Sequence, residues 1–165
     1  MYTPRSPLAS FSVQQQLLPA LYPDVAAIHV HEADRYGNCR IRGTTVADLD
    51  LARAAKRLII TCERLVPNDE IRQDPTRTVI PFYCVDAVCE VPYGSYPGNM
   101  PYEYFSDEAH LRHWLKVEKD PDEFRRFLDE YIYGVSDFAE YLQRCGGLPR
   151  LQELRRQEFL LNQGR

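Results

Sequence analysis

The spacing of hydrophobic residues changes from short apolar runs before residue 92 to a helical period after residue 108. Residues 25–31 and 58–62 are apolar runs rich in Val and Ile, which is typical of strands buried on both faces of a sheet. Residues 45–57 between them have the length and polarity of a helix, and Thr45 followed by Asp48 predicts a capping box at its start. A strand, a helix and a second strand in this order indicate an α/β layer.

Two further strands are predicted beside this unit. Residues 39–42 form a short alternating stretch after a turn at residues 36–38, and residues 85–91 form another alternating stretch. In the second of these strands one face carries the apolar side chains, which are Val85, Ala87, Cys89 and Val91. The connection at residues 67–78 is polar, and we expect a single helical turn at residues 69–72.

The segment that follows these strands, residues 92–104 (PYGSYPGNMPYEY), contains three prolines, two glycines and four tyrosines, so that we expect a long loop. From residue 108 the apolar residues recur at helical spacing, and residues 108–161 are predicted to be mainly helical. The Cys-Gly-Gly sequence at 145–147 is expected to end one helix, and residues 148–161 to form the last. Residues 1–12 are predicted to be an irregular arm. The sequence thus predicts one α/β domain over residues 1–165, a layered open sheet with C-terminal amphipathic helices.

Composition and charge narrow the class of protein. A formal net charge of −4 gives no basic surface for nucleic acid or for an anionic membrane. No apolar run approaches the ~20 residues of a membrane span, and the N-terminus has no signal-peptide pattern, so that we expect a cytoplasmic protein. The five cysteines lack a Cys-x-x-Cys pair, which argues against a disulfide framework or a zinc site. Cys62, Cys84 and Cys89 lie in apolar runs and are expected to be buried.

Candidate chemistry is concentrated in residues 29–43 (HVHEADRYGNCRIRG). Glu32, at the end of a predicted strand, is either a nucleophile or a surface carboxylate paired with a neighbour such as Arg35. Asp34 and Asn38 are expected to hold the turn through Asx-type hydrogen bonds to the backbone, and Gly37 to supply a positive φ.

The histidines offer a second chemistry. His29 and His31 share one strand face, where they form either part of a metal site or a packed, hydrogen-bonded pair. No third ligand follows at a suitable spacing, so that no metal is predicted. His110 and His113, one helical turn apart, leave the same two alternatives.

Several ordered motifs resemble a known family. The segments PDVAAIHVHEADRYGNCRIRG, ARAAKRLIIT, EIRQDPTRTVIP and VDAVCEVPYGSYPG resemble the α subunit of type-I CoA-transferases, in the glutaconate CoA-transferase branch. The family's Ala-Asp-x-x-Gly-Asn turn is matched at residues 33–38. Its Val-Asp-x-Val-x-x-x-Pro-x-Gly-x-x-Pro segment is matched at residues 85–97. The resemblance covers residues 19–142 and implies the layered open sheet of the CoA-transferases.

The resemblance also implies a function. In this family a glutamate, usually on the β subunit, accepts CoA from an acyl-CoA and passes it to a carboxylic acid. Neither the segment that carries this glutamate nor the Gly-rich GxGGF turn of the α subunit has a counterpart here, so that the chain resembles only the C-terminal part of that subunit. The implied partners are acyl-CoA, a chain that supplies the missing N-terminal half, and a β-like subunit. Coenzyme A is then a cosubstrate, with no permanently bound cofactor. The alternatives are a subunit of a CoA-ester hydrolase and a non-catalytic interaction subunit.

Two loops are predicted at the carboxyl ends of the strands, where α/β enzymes build their sites. They are residues 32–38 and residues 92–102, and the second is either a ligand or subunit contact rich in tyrosine or a rigid surface loop. The candidates for a substrate or coenzyme A pocket, or for a subunit contact, are Glu32, Asp34, Tyr36, Asn38, Tyr93, Gly94, Ser95 and Tyr96.

Overall fold

A computed structural model describes residues 20–163 of the chain, which form a mixed α/β structure around a four-stranded open sheet. Three strands are parallel: β1 (Ala26–Ala33), β3 (Leu58–Leu65) and β4 (Ala87–Glu90). The fourth, β2 (Cys39–Arg40), pairs antiparallel with β1, and the order is β2-β1-β3-β4. The predicted fold class is confirmed. The predicted arm at residues 1–12 lies outside the described residues.

The connection from β1 to β3 contains helix α1 (Asp48–Ala54), which is shorter than predicted. The predicted capping box is wrong, since Ala47 is the N-cap residue and no side chain caps this end. The Asp48 carboxylate instead accepts the N–H of Val46 at 3.1 Å. Without a side-chain cap at Thr45, the helix begins two residues later than the capping-box pattern indicates.

The main core lies on one side of the sheet. It is formed by alternate residues of β1 and β3 together with Ala52 of α1 and Ile80 of the β3–β4 connection. These alternate residues are Ala26, Ile28, Val30, Leu58, Ile60 and Cys62. Both connections step across the sheet in the same direction, and since such crossovers are right-handed, both lie on this side.

The opposite side of the sheet, which we call the outer face, carries Ala27, Ile59 and Ala87. All three are exposed, so that the prediction of strands buried on both faces is wrong for the amino-terminal half of the sheet. In β4 the residue packed against the core is Val88, and Cys89, which was expected to be buried, is exposed. Strand periodicity places residues on alternate faces but does not tell which face is covered.

The C-terminal part is helical as predicted. Helices α3 (Glu108–Val117), α4 (Pro121–Leu128), α5 (Phe138–Arg144) and α6 (Gly147–Gln163) follow the short helix α2 (Asn68–Gln73) of the β3–β4 connection. The side chains of Asp107, Asp120 and Asp137 cap α3, α4 and α5 by accepting backbone N–H groups. No helix within residues 20–163 is both long and apolar enough to cross a membrane.

Residues 92–104 contain no helix and no extended strand, as predicted, and we call them the tyrosine segment. They lie between the sheet and α6. A second hydrophobic cluster joins them to this helix, and its buried members are Tyr96, Met100, Tyr104, Leu151 and Leu154. The tyrosine segment is therefore a packed layer of the fold.

Candidate functional site

The carboxyl ends of β1, β3 and β4 meet at one edge of the sheet, which is where open α/β sheets bind their ligands. The turn at residues 34–38 follows β1, and the tyrosine segment follows β4. The two predicted loops are thus both placed at this edge, which we call the carboxyl edge.

The turn after β1 is built around the carboxylate of Asp34, which is fully buried. This carboxylate accepts the N–H of Asn38 at 3.0 Å and the side-chain amides of Asn38 and Asn68 at 2.8 and 2.7 Å. Burial raises the pKa of Asp34, but these hydrogen bonds outweigh it and the pKa is lowered. Gly37 has a φ of +100°. The predicted Asx-type turn is therefore present, and the Asp34 carboxylate is engaged in hydrogen bonds within the chain.

Glu32 is held by two arginines. Its Oε1 accepts Arg64 at 2.9 Å and its Oε2 accepts Arg40 at 3.5 Å, and its side chain is only 12% exposed. Burial opposes the charged form of Glu32, but the bonds from Arg64 and Arg40 dominate and lower its pKa. The prediction that Arg35 pairs with Glu32 is wrong, since the Arg35 guanidinium lies over the ring of Tyr36. A carboxylate paired twice in this way is a weak nucleophile.

Glu63, which sequence analysis did not single out, connects the strands to the tyrosine segment. Its carboxylate accepts Nε2–H of His29 at 2.8 Å, the Tyr104 hydroxyl at 2.6 Å and the backbone N–H of Tyr93 at 2.8 Å. Burial raises the pKa of Glu63, but these three hydrogen bonds lower it further than burial raises it. The only sequence signal was one acidic residue within an apolar strand.

The histidines predicted as a packed pair have both ring nitrogens engaged. His29 Nδ1 lies 2.8 Å from the Thr61 hydroxyl. His31 donates from Nε2 to the Pro101 carbonyl at 2.8 Å, and its Nδ1 accepts the N–H of Arg42 at 3.0 Å. This pattern requires a neutral ring, and burial together with the Arg42 charge lowers the pKa of His31. Within residues 20–163, no three His, Cys, Asp or Glu side chains are grouped so that they could hold a metal ion.

The tyrosine segment is held in an unusual backbone conformation. Tyr93 and Tyr102 have φ of +64° and +66°, a region that residues with a Cβ rarely adopt. Glu63 accepts the N–H of Tyr93, and Glu158 of α6 accepts the N–H of Tyr102 at 2.7 Å. A Cβ at Gly94 would lie 2.5 Å from the His29 ring, which explains the glycine. Strained residues of this kind are often found at functional sites.

Not every candidate tyrosine reaches the surface. Tyr96 is buried in the second cluster, and its hydroxyl donates to Asp107, which also pairs with Arg150 at 2.7 Å. Its side chain is therefore not part of an exposed rim. The backbone N–H of Ser95 donates to the Tyr104 hydroxyl at 3.0 Å. Tyr36 is about half exposed.

Arginines form the solvent side of the carboxyl edge. Buried Glu103 pairs with Arg42, with Arg64 at 2.9 Å and with Arg155 of α6 at 3.6 Å. The side chains of these three arginines are between 32% and 54% exposed. Arginine forks bind carboxylate and phosphate groups well, so that this rim is suited to an anionic ligand. No local sequence pattern indicates Glu103 and its arginines, since they come together only through the fold.

A separate cleft of about 490 Å³ opens at the end of β3. Its lining includes Tyr36, Arg35 and Arg72 together with Leu65 and Asn68. Tyr36, a predicted contact residue, thus borders a cleft, whereas Asp34 and Asn38 shape the turn that presents it.

The sequence provides the family. Residues 14–91 match the family described as Coenzyme A transferase. The chain belongs to the coenzyme A transferase family. It is 40% identical over 129 residues to the A subunit of glutaconate CoA-transferase from Acidaminococcus fermentans, a match that covers 78% of this chain and 40% of that protein. It is 36% identical over 128 residues to the A subunit of 3-oxoadipate CoA-transferase from Pseudomonas knackmussii, covering 78% of this chain and 45% of the relative. A cholesterol ring-cleaving hydrolase IpdA subunit of Rhodococcus jostii is 30% identical over 123 residues, covering 73% and 42%.

The fold agrees with this assignment. The crystal structure of glutaconate coenzyme A-transferase from Acidaminococcus fermentans matches with a TM-score of 0.80 and 40% identity, over 83% of this chain and 43% of that chain. The predicted resemblance to the CoA-transferases is confirmed. The chain spans less than half the length of the curated relatives it matches.

Proposed function

We propose that this chain is one component of a hetero-oligomeric enzyme that moves CoA between an acyl-CoA and a carboxylic acid, with the nucleophilic glutamate on a partner chain. The observation that carries this proposal is the state of the carboxylates at the carboxyl edge. Glu63 and Glu103 are buried and the Glu32 side chain is only 12% exposed, and each of the three is paired with a cation or with hydrogen-bond donors. A nucleophile needs a carboxylate whose charge is not already neutralised by such partners.

The reaction that the family resemblance implies begins with attack of a carboxylate oxygen on the thioester carbonyl. The C–S bond breaks, CoA leaves as the thiolate, and a mixed anhydride remains. The thiolate then attacks the glutamyl carbonyl and releases the acyl group as a carboxylate. The glutamyl thioester passes its CoA to the acceptor acid by the same steps in reverse.

In this reaction the proposed role of the chain is to bind the anionic groups of the substrates. The rim arginines Arg42, Arg64 and Arg155 can donate charge-assisted hydrogen bonds to the carboxylate of an acid or to a phosphate of CoA. Buried Glu103 fixes them in place, so that less of their side-chain entropy is lost on binding. Tyr36, Tyr93 and the backbone of Gly94 and Ser95 are the proposed contacts with the ligand or with a neighbouring chain.

The proposed partners are those that the family resemblance implies. The two matched transferase proteins are each more than twice as long as the part covered here. We propose a chain that supplies the remaining part of such a subunit, together with a β-like subunit, in a cytoplasmic complex. Coenzyme A is a cosubstrate and no permanent cofactor takes part. Neither nucleic acid nor a membrane is a partner in this proposal.

The decisive experiment traps the glutamyl thioester. The assembled enzyme is incubated with acyl-CoA, reduced with borohydride and digested for peptide mapping. We expect the modified glutamate on another chain, and Glu32→Gln in this chain should leave the labelling in place while turnover falls only modestly. A reduced residue at Glu32 would make this chain catalytic and would refute the proposed division of roles.

A hydrolase is the second candidate, because one relative is named as a ring-cleaving hydrolase subunit. The two reactions differ in the acceptor. A transferase releases free CoA only slowly when no acceptor acid is present, whereas a hydrolase releases it at its full rate with water. If the partner chains show the same activity with and without this chain, it is a non-catalytic interaction subunit.

A further inference from the structure

A second cleft lies between the tyrosine segment and α6. It has a volume of about 380 Å³, which is within the roughly 300–1,000 Å³ of small-molecule sites. Its lining consists of Tyr102, Glu103, Arg155, Arg156 and Phe159, and we call these five residues the α6 cleft. The first two belong to the tyrosine segment and the last three to α6, so that the α6 cleft is formed within one chain.

Two exposed aromatic rings border the α6 cleft. Tyr102 is 56% exposed and Phe159 is 60% exposed, so that neither ring is buried in a core. Tyr102 also has a φ of +66°, and the Glu158 carboxylate holds this conformation by accepting the Tyr102 N–H. Strained residues of this kind are concentrated at ligand sites. Exposed rings offer flat surfaces on which the base of a nucleotide can stack.

Two arginines of α6 lie beside these rings. Arg155 and Arg156 precede Phe159 by four and three positions, so that all three side chains are neighbours on the helix surface. Arg155 reaches Glu103 at 3.6 Å, which is longer than a strong charge-assisted hydrogen bond. Arg156 pairs with Glu153 at 2.9 Å on the exposed side of the helix, where such a pair contributes little to stability. Both guanidiniums therefore keep donors for a phosphate group.

The charge of the α6 cleft favours an anion. Its lining has two arginines and one carboxylate, Glu103, whose charge is shared with Arg42 and with Arg64 at 2.9 Å. Glu153 and Glu158, which flank the cleft, each accept a hydrogen bond from a lining residue. The lining itself thus carries a net positive charge. Aromatic rings next to arginines are the combination that binds an aromatic base carrying phosphate groups.

We propose that the α6 cleft binds a nucleotide, with the base against Tyr102 and Phe159 and the phosphate groups on Arg155 and Arg156. Two sources share this chemistry, the nucleotide end of coenzyme A and a free nucleotide. In the first case the inference rests on the proposed function and locates coenzyme A on this chain. In the second case it adds a separate ligand. Since all the lining residues belong to one chain, binding requires no partner chain.

The first test measures binding to the full chain by isothermal titration calorimetry. The probes are coenzyme A, ADP and ATP, and the negative controls are pantetheine, which lacks the nucleotide, and pyrophosphate, which lacks the base. We expect a nucleotide to bind and both controls to fail. Tightest binding of coenzyme A identifies its nucleotide end as the ligand, whereas tightest binding of ADP or ATP identifies a free nucleotide. If no nucleotide binds, or if pyrophosphate binds equally well, the inference is overturned.

The second test locates the site by substitution. Arg156→Gln removes a charge and Phe159→Ala removes a ring, and each should weaken nucleotide binding about tenfold. The matched controls are Arg112→Gln and Phe82→Ala, because neither residue lines the α6 cleft. The Arg112 side chain is 75% exposed and pairs with Glu108 on α3, and Phe82 is 56% exposed.

Both controls should bind as the parent chain does, and all four variants should keep its circular dichroism, since the replaced side chains are exposed. Unchanged binding in both cleft variants, or an equal loss in the controls, would overturn the α6 cleft as the nucleotide site.

This result is independent of the glutamyl-thioester trapping experiment. If the α6 cleft binds a nucleotide but borohydride marks Glu32, the proposed division of roles fails and the nucleotide site stands. If the marked glutamate lies on another chain and no nucleotide binds to this chain, the proposed function stands and the nucleotide site is refuted.

Discussion

On the outer face of the sheet, the carboxyl-terminal half is polar and covered, whereas the amino-terminal half is apolar and open. His29 and Glu63 are covered by the tyrosine segment, while Ala27 and Ala87 face solvent. In a self-sufficient fold the apolar half would be covered and the polar half would face water. The polar half is thus held by hydrogen bonds with the tyrosine segment, whereas no element among residues 20–163 covers the apolar half.

Removal of the Glu63 carboxylate should have the largest effect on the covered half of the outer face. Glu63→Ala leaves the His29 ring, the Tyr104 hydroxyl and the Tyr93 N–H without their acceptor, and we expect the free energy of unfolding to fall by about 3–5 kcal/mol. Urea denaturation measures the change. Glu70→Ala, at an exposed position, is the control and should leave stability nearly unchanged. A loss below about 1 kcal/mol would show that the covered half does not depend on this carboxylate.

The close contact between Gly94 and His29 gives a smaller effect. Gly94→Ala places a Cβ 2.5 Å from the ring, and the resulting overpacking should cost about 1–3 kcal/mol. A double-mutant cycle with His29→Ala identifies the cause, since removing the ring should relieve part of this cost. If the stability losses of the two single variants add strictly in the double variant, the cost of Gly94→Ala does not arise from its contact with His29.

A fall in pH should lower the stability of the folded chain because of the lowered pKa of His31. Its pKa is lowered in the folded chain, so that the unfolded chain binds a proton first, and stability is lost as the pH falls below about 6.5 towards the folded pKa. His110, also with a lowered pKa, acts in the same sense. His31→Gln keeps one donor and one acceptor without titrating. The free energy of unfolding of the parent chain and of His31→Gln is measured by chemical denaturation between about pH 7.5 and 5. It should fall less steeply with decreasing pH in the variant. Equal slopes would show that His31 is not the cause of the loss.

The smallest effect is expected on the exposed amino-terminal half of the outer face. Ile59 and Ile60 are adjacent but face opposite sides of the sheet, and Ile60 is fully buried. Ile60→Val should cost about 1 kcal/mol in the isolated chain, whereas Ile59→Val should change stability by less than about 0.5 kcal/mol. If the two variants unfold at the same urea concentration, the outer face is as well covered as the core.

The sequence was informative where the cause is local. Apolar runs located the parallel strands, and the spacing of Asp34, Gly37 and Asn38 predicted the turn that follows β1, because an Asx turn is formed by side chains within a few residues. The helical stripes likewise predicted where the C-terminal helices lie.

The rest depends on long-range contacts. Glu63 meets His29 from a neighbouring strand and Tyr104 from a segment 41 residues further along the chain. No local pattern shows such a group, and the same holds for Glu103 and its arginines. Tyr96 was expected at a contact and is buried, because tyrosine spacing does not tell an exposed ring from a packed one. The exposed half of the outer face was missed because the strand pattern does not tell on which side of the sheet the crossovers lie.

Arg40 has a consequence for the motions of the chain. It belongs to a strand of two residues, yet its Nη2 donates to the carbonyls of Glu70, Ile71 and Asp74 around the end of α2, while Nη1 reaches Glu32. One guanidinium thus ties a short strand, a short helix and a carboxylate of the carboxyl edge. We therefore expect these elements to open as one cooperative unit in native-state amide exchange. Local unfolding of α2 would then release Glu32 from one of its two arginines. The charge balance at the carboxyl edge is thus coupled to the local unfolding of this helix.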